Sequence, residues 1–259
     1  MRLKTMMICA VSIPCAASIA AGAATGGADI QQRWDALSPR VKEVLGDVES
    51  AGEGLETVRC DVHYTRSIPL LEEKEECDGE LLFAKPDRLV LKLGEPRNED
   101  AYTDGKKWWI VSHDDRQVEI YRMVENPRQT REAAFLKFGY GGSARELLRQ
   151  YKISLSEKRS VEVSGQGGSE TVTEYILKFT PREQEVPSRY SWIEVAVREG
   201  TWLPRRLKLA ENDGRIMHIY RLTDREQNVE LEEGLFTYDP PEGYNILRPA
   251  EGRRSGQGR

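Results

Sequence analysis

The sequence predicts an α+β fold, mainly antiparallel β, in which about ten strands build one long sheet with helices in front and in the middle. Three observations carry this. Short runs alternate apolar and polar residues with a period of two. Turn signals such as Lys85-Pro86-Asp87, Asp104-Gly105 and Asn212-Asp213-Gly214 separate them. Helical spacing appears only near the start of the chain and in its centre. A chain of 259 residues, 39% of them hydrophobic, is ample for a sizeable core. No stretch reads as a linker, so one domain over 25–248 is expected. A formal net charge of −5 argues against a nucleic-acid partner, which needs a basic face to neutralise phosphates.

The first element is not part of the fold. Arg2 and Lys4 precede an uncharged run of apolar and small residues from Met6 to Ala24, and Ala21-Gly22-Ala23 gives a small-x-small pattern. Residues 1–24 read as a secretory signal peptide, cleaved on export; the alternative is a membrane anchor. Next, Ile30, Trp34, Leu37, Val41, Val44 and Val48 recur at helical spacing. Pro39 interrupts them, with Ser38 as a cap and Pro39 in the first helical position, so a kink or two short helices are expected.

Strands follow over 56–66, 77–84, 88–94, 100–103, 107–113 and 117–124. Cys60 and Cys77 are the only cysteines left once the signal is removed. In an exported protein a disulfide is the default. A hairpin centred near Ile68-Pro69 sets the two opposite each other, on the apolar face with Leu81 and Phe83. The alternative is two buried thiols. The charge run Glu72-Glu73-Lys74-Glu75-Glu76 reads as a solvated loop.

The centre changes character. Residues 128–137 read as a short helix, Gly139-Tyr140-Gly141-Gly142 breaks it, and Ser143 with Glu146 forms a capping box for the next helix. Strands resume over 153–164, 171–180, 189–198, 203–211 and 215–224. Beyond Pro249, residues 249–259 read as a disordered basic tail.

Four stretches in this order resemble the LolA-like family of periplasmic lipoprotein carriers. They are Gly79-Glu80-Leu81-Leu82-Phe83-Ala84-Lys85-Pro86, the hairpin from Tyr102 to Val111, Leu203-Pro204-Arg205-Arg206 running to Asp213-Gly214, and Phe236-Thr237-Tyr238-Asp239-Pro240-Pro241-Glu242-Gly243. The resemblance implies an open β-half-barrel with a helical lid over an apolar cavity. It implies a non-enzymatic, periplasmic carrier that shields the acyl chains of lipoproteins or lipids in transit between membranes. Loading and receiving proteins at the inner and outer membranes are its implied partners, and a monomer its implied state. The same fold also suits an envelope sensor or scaffold that binds a protein partner.

On this reading Leu89, Leu91 and Leu93 are the first candidates to line the cavity. Trp109, Tyr175, Leu177, Phe179, Ile193 and Val195 follow, and ordinary core packing is the competing role for each. Trp34, Phe135, Leu136 and Leu147 are candidates to close the lid. Lys85 stands where the family has the arginine that latches the lid, and a lysine lacks its planar bidentate fork.

Enzyme readings find little support. The histidines at 63, 113 and 218 fall on separate strands without metal-ligand spacing, and no nucleophile elbow is present. Neither a metal nor a cofactor is expected. Trp108 and Trp109 are adjacent in a strand, so their rings point to opposite faces and cannot form one stacking platform.

Overall fold

The computed structural model describes residues 20–123, 135, 137–165, 168–182, 189–211 and 214–248. They fall into two units, one through Ala36 and one from Leu37 onward. The first holds α1 (Ala20–Asp35). Residues 1–19 of the expected signal peptide, the tail from 249 and nearly all of the expected helix over 128–137 lie outside the described residues.

The second unit opens with α2 (Pro39–Glu53). Ser38 caps it, its Oγ accepting from the Val41 N–H, and Pro39 takes the first helical position, where its missing N–H costs nothing. Val41, Val44, Leu45, Val48 and Gly52 form its buried stripe.

Then come β1 (Thr57–Ile68), β2 (Glu73–Ala84), β3 (Arg88–Leu93), β4 (Glu99–Thr103), β5 (Lys107–Ser112) and β6 (Gln117–Arg122). After α3 (Ala144–Gln150) follow β7 (Tyr151–Gly165), β8 (Gly168–Pro181), β9 (Tyr190–Arg198), β10 (Pro204–Glu211), β11 (Ile216–Gln227) and β12 (Asn245–Leu247). The described strands form one open twelve-stranded sheet in the order β12-β6-β5-β4-β3-β2-β1-β11-β10-β9-β8-β7. Every pairing is antiparallel except that of β12 with β6. The α+β, mainly antiparallel expectation therefore holds.

The register corrects the expected disulfide. Cys60 lies opposite Leu81, and Cys77 lies opposite Tyr64. The two share a face but stand four residues out of step, about 13 Å along the strand, well beyond bridging range. Both are free, buried thiols. The cause is the turn. A 3-10 turn at Pro69–Leu71, closed by Glu72 in the left-handed region (φ 56°), moves the hairpin centre two residues past the expected one. The same shift draws the acidic run into β2, where Glu76 bonds Lys74, Thr65 and His63 instead of lying in a loop.

The sheet buries one face widely and the other over β2–β6. One carries Val58, Cys60 and Tyr64 of β1, Leu81 and Phe83 of β2, the β3 leucines, Trp108 of β5 and Leu207 of β10, in register. Above it lie α2, α3 and the segment carrying Phe135, Phe138 and Tyr140. The other face, formed by Leu82, Val90, Tyr102, Trp109, Val111 and Val118, is covered by the chain after β11. Phe236 is buried there, and Leu231, Leu235, Tyr238 and Tyr244 pack around it. This strap is tied at its start by Asn228, which bonds the Glu56 N–H and the Gly54 carbonyl, and it ends as β12 on the edge of β6.

Candidate functional site

A cavity of about 130 Å³ opens on the helix-covered face. Leu91 and Leu93 of β3, Trp108 and Ile110 of β5, Leu207 and Leu209 of β10 and Phe135 supply its apolar wall. In a flat sheet β5 and β10, six spacings apart, would be about 29 Å from each other. They border one cavity because the sheet curls into an open half-barrel.

The rim is polar and internally paired. Arg97 bonds Glu99 at 2.7 Å on one arm of the sheet. On the other arm Glu211 accepts from Arg189 and from His218 Nε2, both at 3.1 Å. With Nε2 donating, His218 Nδ1 accepts from the Tyr64 hydroxyl at 2.8 Å. Burial pushes the His218 pKa down, against the pull of Glu211. Burial likewise raises Glu99, against the lowering by Arg97. The polar groups thus satisfy one another and leave the wall free for an apolar guest.

Three ties hold the lid. Lys85 Nζ donates to the Glu53 carbonyl at 2.7 Å, at the C-terminal end of α2 where a cation is favoured. Lys137 pairs with Asp87. Glu49 Oε1 accepts from the Ala144 N–H at 2.7 Å. The N-terminus of α3 is therefore capped by Ser143 together with a carboxylate from α2, whereas the expected box partner Glu146 is exposed. The glycine loop serves packing. Gly139 (φ 84°) has Pro204 Cδ 2.4 Å from where a Cβ would stand, and one on Gly52 would lie 3.0 Å from both Gly139 O and Gly141 N.

Of the expected cavity residues, Leu91 and Leu93 border the cavity. Leu89 shares their face but is buried beside Phe83, which packs 5.7 Å from Tyr140. Tyr175, Leu177, Phe179, Ile193 and Val195 also share the face and are buried away from the cavity. Arg40 of α2 stacks over Tyr175, and Phe135, Phe138 and Tyr151 surround Phe179. Trp109 is on the opposite face under the strap, and its neighbour Trp108 takes the cavity position. The alternation rule separates the two rings but does not say which one faces the cavity; the β3–β4–β5 register decides it.

Of the expected lid residues, Phe135 borders the cavity. Leu147 borders a separate pocket of about 250 Å³ with Asp87, Lys137 and Gln150. Trp34 lies in α1, in the N-terminal unit, and Leu136 lies outside the described residues. Tyr64, Trp108, Tyr190 and His218 at the cavity were not foreseen. Among the described residues no cluster of three or more His, Cys, Asp or Glu has metal-binding geometry.

These elements make an open half-barrel with a tied helical cover over an apolar cavity whose rim groups are paired. The chain belongs to the LolA family: the model described as outer membrane lipoprotein carrier protein LolA matches residues 69–239. An outer-membrane lipoprotein carrier protein from Alkalilimnicola ehrlichii is 26% identical over 179 residues, covering 69% of this chain and 72% of its own. One from Alcanivorax borkumensis is 24% identical over 204 residues, covering 79% and 84%. An uncharacterized conserved protein from Thermus thermophilus, known from its crystal structure, superposes with TM-score 0.47 at 13% identity, covering 81% of this chain and 99% of that one.

Proposed function

We propose that the protein is a periplasmic, non-enzymatic carrier that shields the acyl chains of a lipoprotein or lipid in the cavity between the sheet arms. Family membership and the curated relatives, named as lipoprotein carriers, support the reading. The observation that carries it is the cavity itself, an aliphatic and aromatic wall shared by β3, β5 and β10 with its rim charges already paired. Acyl chains need a dry, apolar, adaptable wall and few polar groups. Each methylene removed from water contributes about 0.8 kcal/mol, so one long chain supplies on the order of 10 kcal/mol.

At about 130 Å³ the closed cavity is smaller than the ~300–1,000 Å³ usual for a ligand-filled pocket. Loading then requires the cover to move. The ties over it suit that cycle. A hydrogen bond such as Lys85 to Glu53 is worth about 1 kcal/mol net, and an exposed ion pair such as Lys137–Asp87 less. Cargo would be taken from a loading protein at the inner membrane and given to a receiving one at the outer membrane, with no covalent step.

The test is native mass spectrometry of the mature chain with a triacylated lipopeptide. One peptide per protein is expected, with binding lost in Leu93→Glu, which puts a carboxylate into the wall. Absence of acyl binding by the unmutated protein sinks the carrier reading. Pull-down of a single envelope protein by that same lipid-blind chain would put the sensor or scaffold reading in its place.

A further inference from the structure

Two β-bulges sit side by side at the end of the sheet away from the cavity. In β10 the register with β9 slips between Pro204 and Arg206, which makes Arg205 the extra residue. In β11 the register with β1 slips between Thr223 and Glu226, so Asp224 (φ 43°) and Arg225 together face Cys60. A bulge re-aims the side chains at its site. Here each bulge carries an arginine, and both arginines address one buried phenol. Arg225 donates to the Tyr140 hydroxyl at 3.1 Å and to the Pro204 carbonyl. Arg205 interacts electrostatically with Tyr140, with Arg225 and with Arg198 at the end of β9.

Three guanidinium groups therefore share one place without matching anions. Among the described residues, none of the three has a carboxylate within ion-pairing distance. Glu174, which faces Arg198 across β8 and β9, is engaged by Arg159. Asp224 is the one carboxylate among the groups that most affect Arg205, and it acts most weakly. Burial first, and then Arg198 and Arg225, push the Arg205 pKa down. The Nε atoms of Arg198 and Arg225 are closed off from solvent and meet no acceptor. Buried donors are nearly always satisfied, and clustered like charges repel. A cluster with both features suits an anion.

We propose that Arg198, Arg205 and Arg225 form a binding site for a phosphoryl group, distinct from the acyl cavity. A phosphoryl group offers several acceptor oxygens to planar forks that hold it bidentately. The site lies four residues along β1 from Tyr64 at the cavity rim, about 13 Å away. Closely packed Val62, Leu81 and Leu222 stand between the two. A ligand here is thus bound independently of a chain in the cavity.

Thermal melting and calorimetry with inorganic phosphate test this, alongside flotation with phosphatidylcholine vesicles with and without phosphatidylglycerol. The half-exposed pair is changed to Arg198→Gln and Arg205→Gln, leaving Arg225 and the Tyr140 contact intact. Phosphate should raise the melting temperature of the unmutated protein, and the double variant should bind it at least about tenfold more weakly. Without phosphate the double variant should melt no lower, since like charges have been removed. Vesicle capture that needs phosphatidylglycerol and is displaced by phosphate identifies a lipid headgroup. Phosphate binding without vesicle capture identifies a soluble phosphate ester. No effect of millimolar phosphate at low salt, or equal binding by the double variant, overturns the proposal.

Discussion

Replacing Trp108 by Ala removes an indole from the cavity wall, while replacing Trp109 by Ala removes one from beneath the C-terminal strap. Trp109→Ala should cost about 3–5 kcal/mol in urea unfolding and leave acyl affinity intact in the folded fraction. Trp108→Ala should weaken acyl binding by tenfold or more, with the smaller stability loss. Cys60, whose pKa burial raises to about 11, should resist iodoacetamide at pH 8 until the protein is unfolded. For a chain beginning at residue 25, the intact mass should then show two alkylated thiols and no loss of the two hydrogens that a disulfide would take. His218 gives a pH dependence with a defined sign. Its folded pKa lies below the ordinary 6.5, so its contribution is complete above pH 6.5 and fades as pH falls through 6.5 toward the folded value. The groups facing it are Tyr64, Glu211, Arg189, Arg97 and Tyr190. His63, raised mainly by its hydrogen bond to Asp78, runs the opposite way, stabilising below pH 6.5 and losing that contribution as pH rises. Urea midpoints between pH 7.5 and 5 should therefore fall less steeply in His218→Gln than in the unmutated protein, and more steeply in His63→Gln.

At the scale of elements, strands and the α2 cap were legible because their causes are local. Alternation marks β3, and Ser38-Pro39 marks a helix start. What failed was register, which depends on the turn. Parity put Cys77 on the correct face, but a 3-10 turn and one left-handed glutamate set it four residues from the place that a hairpin centred at Ile68-Pro69 gives. The strap was legible only as a motif. Phe236 and Tyr238 do not alternate as a strand does, and the face they cover is built by residues more than a hundred positions earlier. The lid was foreseen as helices, but its ties were not, since Glu49 capping α3 joins residues 95 apart. Lys85 Nζ reaches the end of α2 through a hydrogen bond to the Glu53 carbonyl. Lys85→Met should cost about 1 kcal/mol and speed the release of a bound acyl peptide, read by stopped-flow fluorescence. Gly139→Ala forces a Cβ onto Pro204 at positive φ and should cost roughly 2 kcal/mol or more by chemical denaturation.

For the whole molecule, a sheet covered by helices on one face and by the strap over β2–β6 on the other keeps an apolar interior without closing. If the helical side opens for cargo as proposed, the strap side is left to hold the curvature. Removing everything after Gln227 should leave the cavity residues in the chain but bare the outer face. We expect that truncated protein to aggregate, or to melt far below the full chain in a thermal scan, whereas removal of 249–259 alone should change neither.

The strap also sets an order of events during synthesis. β1 pairs with β11, and β6 pairs with β12, so strands made early wait for the last ones made. Until residues 231–244 have been made, Tyr102, Trp109 and Val118 have no cover. Such non-local pairing is slow and leaves sticky intermediates. A chain without its strap is therefore expected to be more prone to aggregate than the finished fold.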